Sequence, residues 1–505
     1  MTALTSIPAG VNWRPWIWVA GICVLFLIAR LPVILHEAGS MDEDWFAIPG
    51  WTVSQEGIPR VPYAPERNRQ SFFWKADVVS LALPPALHYF QAPFFWLFPA
   101  GYPTARLPSL LAGMASIVLV YRIGRRMLSD ERSAVLAAAL YSLSRLCYFP
   151  AIVARPDMLC GMFGLAALLL VLKWQAENRW RWLIAAGVCL GVGGLTHPAA
   201  IVYAVQLGIW VCLSGSFRQR FLAISTLVGV SMAMLLLWLP LMLTYREIFR
   251  VQFFGNVLSR TAPSGDLLTT AWQVFNYQGA LAHEHFGAIW LSLLLCGLIW
   301  TGWQGIAARD SRSRTLCGLT CLAVGLLIAF EGRHPTKGYW CYPGALLCLC
   351  FSQLVGDIAN RFGVRSRWAF IALSLLSVAS LLPGSGLRAT AVYLRHWSDP
   401  AYHARTFIRE VLKKLPQDGV FAVDPAYVFD VEMSGRETLL GVNVPIYFQV
   451  SAFPCDYLIA SRYSLKNELP RQLNAVPVAS YGDPDNPFTC YVEIFQVTKP
   501  APHVE

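Results

Sequence analysis

"TARLPSLLAGMASIVLVYRIGRRMLSDERSAVLAAALYSLSRLCYFPAIVARPDMLCGMFGLAALLLVLKWQ", residues 104–175, holds three apolar runs divided by two polar breaks of different character. Each run approaches the roughly 20 apolar residues that a helix needs to cross a hydrocarbon core about 30 Å thick. The first break, "YRIGRRMLSDER", is crowded with arginine, whereas the second, "VARPD", is a turn carrying Arg155 and Asp157. Because Lys and Arg are retained on the cytoplasmic side, the two breaks fall on opposite faces of a membrane. Asp157 follows Pro156 and so occupies a helix N-terminus, where the dipole favours a carboxylate.

The same pattern extends over the chain. Of its 505 residues 56% are hydrophobic and 14% charged, with mean hydropathy +0.47, against about 25% charged residues in soluble domains. Spans are expected near 15–35, 105–121, 133–150, 157–172, 182–196, 198–213, 221–244, 286–304, 316–330, 339–356 and 368–386, making a polytopic α-helical membrane protein of about eleven helices. The first run lacks a basic n-region and a small-residue cleavage site, and its length suits a span, so it is expected to be the first helix. Prolines 84, 85, 93 and 99 break the apolar stretch 83–99, which is expected to be re-entrant or interfacial. The net charge of +10 resides largely in short loops, so topology rather than nucleic acid accounts for it. No glycine-rich nucleotide loop, internal repeat or low-complexity tract is present.

The basic loops "KWQAENRWRW", "SGSFRQR", "AARDSRSR" and "NRFGVRSR" share a side with residues 121–132, which places the others outside. Residues 1–390 are read as the membrane domain, with a long first outer loop at 36–104. Residues 391–505 form a small extracytoplasmic α/β domain: "HWSDPAYHARTFIREVLKKL" has helical periodicity, and "DGVFAVD", "CDYLIAS" and "TCYVEIFQV" read as strands. Cys455 and Cys490, in this polar region, either pair in an oxidising compartment or remain thiols.

Unusual residues then collect outside. The first outer loop carries "HEAGSMDEDWF", with Asp42, Glu43 and Asp44 side by side, and "DWFAIPGW" reads as an interfacial amphipathic helix. The second contributes Arg155 and Asp157; the third, "LTHPA", places His197 at the rim. The fourth, 245–285, ends in "AHEHF", and the fifth, "FEGRHPTKGYWCYPG", holds Arg333, Lys337 and Tyr339. Singly each has a structural account, as dipole partner, anchor or turn filler; their convergence at one depth is what points to chemistry. Asp44 is expected to be a solvated bystander. His283, Glu284 and His285 are metal-ligand types, but a spacing of two on a loop is not diagnostic, and a plain polar loop is the expectation.

With "LGVGGLTHPAAIVY" at 190–203, the stretch 104–175 resembles the membrane-embedded GT-C glycosyltransferases, and among them the bacterial branch that includes the protein O-mannosyltransferases and the aminoarabinose transferases of lipid A. The resemblance covers most of 30–213, weakens towards 390 and says little of the C-terminal domain. It implies a polyprenyl-phosphate sugar donor, an extracytoplasmic site in a bacterial inner membrane and inversion at the anomeric carbon. The family's acidic motif matches Asp42 and Glu43, and its RPD turn matches residues 155–157. Where relatives often have Lys in a T-K-P turn this chain has His197, and where they have E-K-P-P or H-P-P-L it has "YFQAPFFW", with Gln91 and Ala92.

Transfer to a hydroxyl needs a proton acceptor, for which Asp42 is the candidate, with Asp157 or Glu43 orienting the acceptor or stabilising positive charge. A phosphate leaving group needs cations, for which Arg155, His197, Arg333 and Lys337, together with Tyr339, are candidates. The expected partners are the lipid-linked donor, a hydroxyl acceptor and membrane lipids; no cofactor is required, and a divalent metal stays open. A lipid or polysaccharide transporter is the alternative, but it would place ionisable groups near mid-membrane on broken helices.

Overall fold

The computed structural model describes residues 13–40, 42–213, 216–258, 267–332, 338–441, 455–462, 464 and 469–497. Among these, eight helices are long and apolar enough to cross a membrane: Pro15–His36, Tyr102–Met127, Asp157–Glu177, Phe217–Thr244, Ala288–Ala307, Ser311–Phe330, Cys341–Asn360 and Gly363–Gly384. The pair Glu131–Leu143 and Arg145–Ile152, bent by 50°, makes a ninth if it is one span, and Trp180–Thr196 and Ala200–Cys212 are shorter apolar helices. Every apolar run in the sequence is thus a helix, as it must be where lipid offers no partner for backbone N–H and C=O groups. Multiple apolar helices of this length make the chain a multi-pass membrane protein.

Local chemistry sets the helix ends. In the arginine-rich loops Asp130 accepts from the Arg132 N–H at 3.0 Å, and Asp310 accepts from the Arg312 and Ser313 N–H groups, satisfying donors that a helix start leaves orphaned. Close approach of helices depends on small residues: a methyl group on Gly297 would lie 2.5 Å from the Phe351 Cα, so Ala288–Ala307 and Cys341–Asn360 touch backbone to backbone. Cys341–Asn360 is central, with 83% of its apolar window buried, whereas Gly363–Gly384, at 11%, lies at the periphery.

The segment 83–99 holds a 12-residue helix, Ala86–Leu97, with Pro93 inside it, too short to span. The interfacial helix read over 44–51 is two pieces, Glu43–Phe46 and Ile48–Glu56, parted at Ala47. The fourth outer loop is largely helical instead of irregular: Arg246–Phe249 runs through a π-turn, Arg250–Phe254, and a 20-residue helix, Leu267–Phe286, follows. Gln252 in that π-turn donates to the carbonyls of Trp74 and Val79 at 2.8 and 2.9 Å and accepts from the Leu81 N–H, tying this segment to the first outer loop.

The C-terminal region is a mixed sheet of β1 (Val420–Val423), β2 (Glu437–Leu440), β3 (Tyr457–Ser461), β4 (Ala475–Gly482) and β5 (Tyr491–Val497), in the order β2-β1-β3-β5-β4. β1 runs parallel to β2 and β3, and β5 antiparallel to β3 and β4. The three strands expected from sequence are the central ones. The two that sequence missed are the edges, where β4 tolerates Pro477 beside a register irregularity. Cys455 and Cys490 are buried and form no disulfide. The first outer loop packs on this domain: Ala47, Ile48, Tyr63 and Tyr102 share one apolar cluster with Phe421, Phe429 and Ile459, and the Gly39 N–H donates to the Ala426 carbonyl at 2.9 Å.

Candidate active site

The acidic triplet opens the short helix Glu43–Phe46, and its three carboxylates meet three different environments. Asp42, at the N-cap, has φ 71°, a left-handed backbone uncommon for a side-chain-bearing residue. Its side chain is 38% exposed. Glu43 is fully buried and saturated: Oε1 accepts from Arg106 Nε at 2.8 Å and from the Ala154 N–H at 2.6 Å, and Oε2 accepts from Arg106 Nη2, the Ser40 N–H and the Ser40 hydroxyl. Burial opposes its ionisation, but the Arg106 guanidinium and these N–H groups hold its pKa below the usual carboxylate value. Asp44 corrects the expectation of a solvated bystander. It is 2% exposed, and burial, reinforced by the nearby Asp42 charge, pushes its pKa well up.

Glu43 joins the loop to the RPD turn. Ala154 immediately precedes Arg155, and the Arg155 carbonyl accepts from the Ser109 hydroxyl at 3.2 Å. Arg106 spends all five guanidinium N–H donors, two on Glu43 and three on the carbonyls of Ile34, Glu37 and Ala38. Arg106 and Ser109 are therefore the residues that sequence reasoning left without a role. Their signal was the quoted segment ARLPS, whose first turn presents both towards the acidic loop and the RPD turn.

Held this way, Arg155 bridges two carboxylates. Its Nη1 donates to Asp42 Oδ2, and its Nε donates to Asp157 Oδ2 at 2.9 Å. Burial disfavours its charge, but Asp157 and Asp42 outweigh burial and raise its pKa. Among the described residues Arg155 Nη2 donates no hydrogen bond. Asp157 is the first residue of its helix and its side chain is buried.

Gly338 closes against the same carboxylate. A Cβ on Gly338 would lie 2.2 Å from Asp157 Oδ2, so the backbone at 338 sits against the acid itself. Tyr339 follows, and its hydroxyl lies 2.9 Å from His197 Nε2, with the two ring centroids 4.7 Å apart. His197 Nδ1 accepts from the Ala199 N–H at 3.0 Å; a neutral ring then carries its proton on Nε2 and donates to Tyr339. Arg333 and Lys337 lie outside the described residues. The structure thus unites Asp42, Glu43, Arg155, Asp157, His197 and Tyr339 around one turn, from four loops distant in sequence.

His283, Glu284 and His285 do not join them. They occupy the last turns of the helix Leu267–Phe286 instead of the loop expected, and the buried His285 ring meets Phe149 edge-on at 6.0 Å. Among the described residues no group of three or more His, Cys, Asp and Glu side chains could hold a metal.

Eight long apolar helices followed by a small C-terminal sheet make a membrane-embedded chain of the GT-C glycosyltransferase fold. Residues 82–243 match the family described as dolichyl-phosphate-mannose-protein mannosyltransferase; the matched segment includes Arg106, the RPD turn and His197. The chain is similar to the crystal structure of ArnT from Cupriavidus metallidurans bound to undecaprenyl phosphate, at TM-score 0.64 and 15% identity over 96% of this chain and 98% of that one. It is also similar to the oligosaccharyltransferase AglB from Archaeoglobus fulgidus in complex with an inhibitory peptide and a dolichol-phosphate, at TM-score 0.54 and 14% identity over 97% of this chain and 75% of that one. No curated protein matches the chain in sequence.

Proposed function

We propose that the protein is an inverting glycosyltransferase that moves a sugar from a polyprenyl-phosphate donor to a hydroxyl acceptor, at the extracytoplasmic face of a bacterial inner membrane. The observation that carries this reading is the Arg155 bridge between a half-exposed carboxylate, Asp42, and a buried one, Asp157. The acceptor oxygen attacks the anomeric carbon from the side opposite the phosphate and gives its proton to Asp42. The bond from that carbon to the phosphate oxygen breaks with its electron pair passing to the phosphate, and the configuration inverts. The transition state is oxocarbenium-like, as in glycoside hydrolysis, and a carboxylate in reach accepts the proton as the new bond forms.

The uncommitted Nη2 of Arg155 suits the charge growing on the phosphate. Asp157, locked on Nε, fixes the direction of the guanidinium, and Glu43 acts through Arg106 and Ala154 as a positioning residue. An apolar groove of about 590 Å³, lined by Tyr89, Phe90, Val192, Leu195, Trp238 and Leu241, suits a prenyl tail. Val192 and Leu195 belong to the helix that ends at His197, so the groove runs to the rim of the site. The arginine-rich loops on the opposite face support the extracytoplasmic placement.

The test is Asp42→Asn in purified, correctly inserted protein, with a radiolabelled polyprenyl-phosphate sugar. Transfer is expected to fall by about 10²–10⁴ while the lipid phosphate still binds; transfer at the wild-type rate would remove Asp42 as the base.

A further inference from the structure

A second cavity, of about 520 Å³, lies on the other side of the 37–40 segment, between the first outer loop and the C-terminal domain. Its size falls in the range of small-molecule sites, about 300–1,000 Å³. Apart from Ser40, whose hydroxyl bonds Glu43, the transfer chemistry uses none of its lining side chains.

Three kinds of surface meet there. Glu37 is accessible to water yet deep, and burial raises its pKa. Among the described residues only its backbone is hydrogen-bonded, its carbonyl accepting from Arg106; its carboxylate accepts no hydrogen bond, although the Arg106 charge favours its ionised form. Across the cavity Arg462 is held by Thr489, donating to the Thr489 carbonyl at 3.0 Å and hydroxyl at 3.1 Å, while its buried Nε–H donates to nothing among the described residues. Tyr393 and Phe488 form an aromatic corner, with centroids 6.5 Å apart and planes at 87°.

These surfaces discriminate among ligands. An apolar ligand would leave a carboxylate and a buried N–H without hydrogen-bond partners, which is unfavourable for both groups. An anion would be repelled by Glu37, and among the described residues a metal ion would find no group of three ligands. A polyhydroxylated ring satisfies all three surfaces, with O–H donors for Glu37, oxygen acceptors for Arg462 and an apolar C–H face for an aromatic ring.

We infer that this cavity is a saccharide-binding site, taking a pyranose unit against Tyr393 and Phe488 with its hydroxyls on Glu37 and Arg462. The site is coupled to the carboxylate loop: its wall includes Ser40, whose N–H and hydroxyl bond Glu43, and Asp42 lies two residues on. On the glycosyl-transfer reading, on which this assignment of source rests, the saccharide belongs to a glycan acceptor anchored one loop away from the base.

The experiment measures binding without transfer. Full-length protein in a detergent with no sugar headgroup is titrated with methyl α-D-mannopyranoside, methyl α-D-glucopyranoside and methyl glucosaminide, with glycerol as control, by saturation-transfer NMR. At least one glycoside, and not glycerol, is expected to bind, and Glu37→Gln or Phe488→Ala is expected to weaken it at least fivefold at an unchanged unfolding midpoint. Should one variant unfold, the other decides. Absence of binding by all three glycosides, or a change below fivefold in every folded variant, overturns the assignment. Undecaprenyl phosphate binding by the same proteins is expected to be unaltered; its absence in the wild type would instead strike at the transferase reading.

Discussion

Replacing Glu43 by Gln tests the framework of the site with the least change of shape. The carboxylate is fully buried, and among the described residues it is the only acid in an ion pair with the guanidinium of Arg106, itself 1% exposed. Gln keeps the volume but leaves the Arg106 charge buried without its counter-ion, which costs about 3–5 kcal/mol. It also presents N–H groups where Glu43 accepts from Arg106, Ser40 or Ala154. Because the pair clamps the loop at 37–43 to the turn at 154, the loss is expected as local opening. At about 1.4 kcal/mol per tenfold, amide hydrogen exchange over residues 38–47 should accelerate by roughly two to four orders of magnitude. Transfer should fall about 10²-fold, the usual consequence of displacing a reacting group by about 1 Å. The double variant Glu43→Gln, Arg106→Met leaves no charge buried and should recover at least tenfold of the lost protection. Exchange within threefold of wild type in the single variant would refute the claim that this ion pair holds the catalytic loop.

Further outcomes follow from the same geometry. Arg155→Gln removes both arms of the bridge and should cut transfer by about 10²–10³ and raise the donor KM; Arg155→Lys should not restore it, since an ammonium cannot serve two carboxylates and a phosphate in one plane. Gly338→Ala puts a methyl group where Asp157 Oδ2 lies 2.2 Å away, so transfer should drop at least about tenfold with insertion unaffected, measured against a membrane-yield control. In the C-terminal domain burial raises the pKa of Asp430 from 3.8 to about 6, against the opposing pull of Arg405 and Arg409. The folded state therefore holds this proton more tightly. The resulting stability is complete below about pH 4 and is lost as pH rises to about 6, a change of about 3 kcal/mol. Unfolding midpoints from pH 4 to 7 should show this slope in the wild type and a flatter one in Asp430→Asn.

Much of the architecture was legible because membrane insertion is a one-dimensional constraint. A run of apolar residues long enough to span lipid must be a helix whatever its neighbours do. That is why eight of the eleven expected runs are single helices long enough to span, while one is a bent pair and two are shorter helices, and why β1, β3 and β5, the central strands, also declared themselves. The outer segment 245–285 did not, since its helices are stabilised by contacts such as Gln252 with Trp74 and Val79, which no local pattern announces. β4 was missed because this edge strand is largely open to solvent and needs no continuous apolar sequence, and β2 because its four residues, three of them buried, are too short a run to declare a strand.

By itself the chain determined that its long apolar runs are helices and made Asp42, Arg155 and Asp157 candidates. Only the tertiary structure decided which of three adjacent carboxylates meets solvent, which is clamped by Arg106 and which is buried with no counter-ion among the described residues. Only packing of the helix ends put Gly338 against Asp157 and Tyr339 against His197. The reason is physical: hydrophobic transfer is summed along the sequence, whereas the ionisation and reach of a carboxylate depend on burial and neighbouring charge set by segments a hundred residues away.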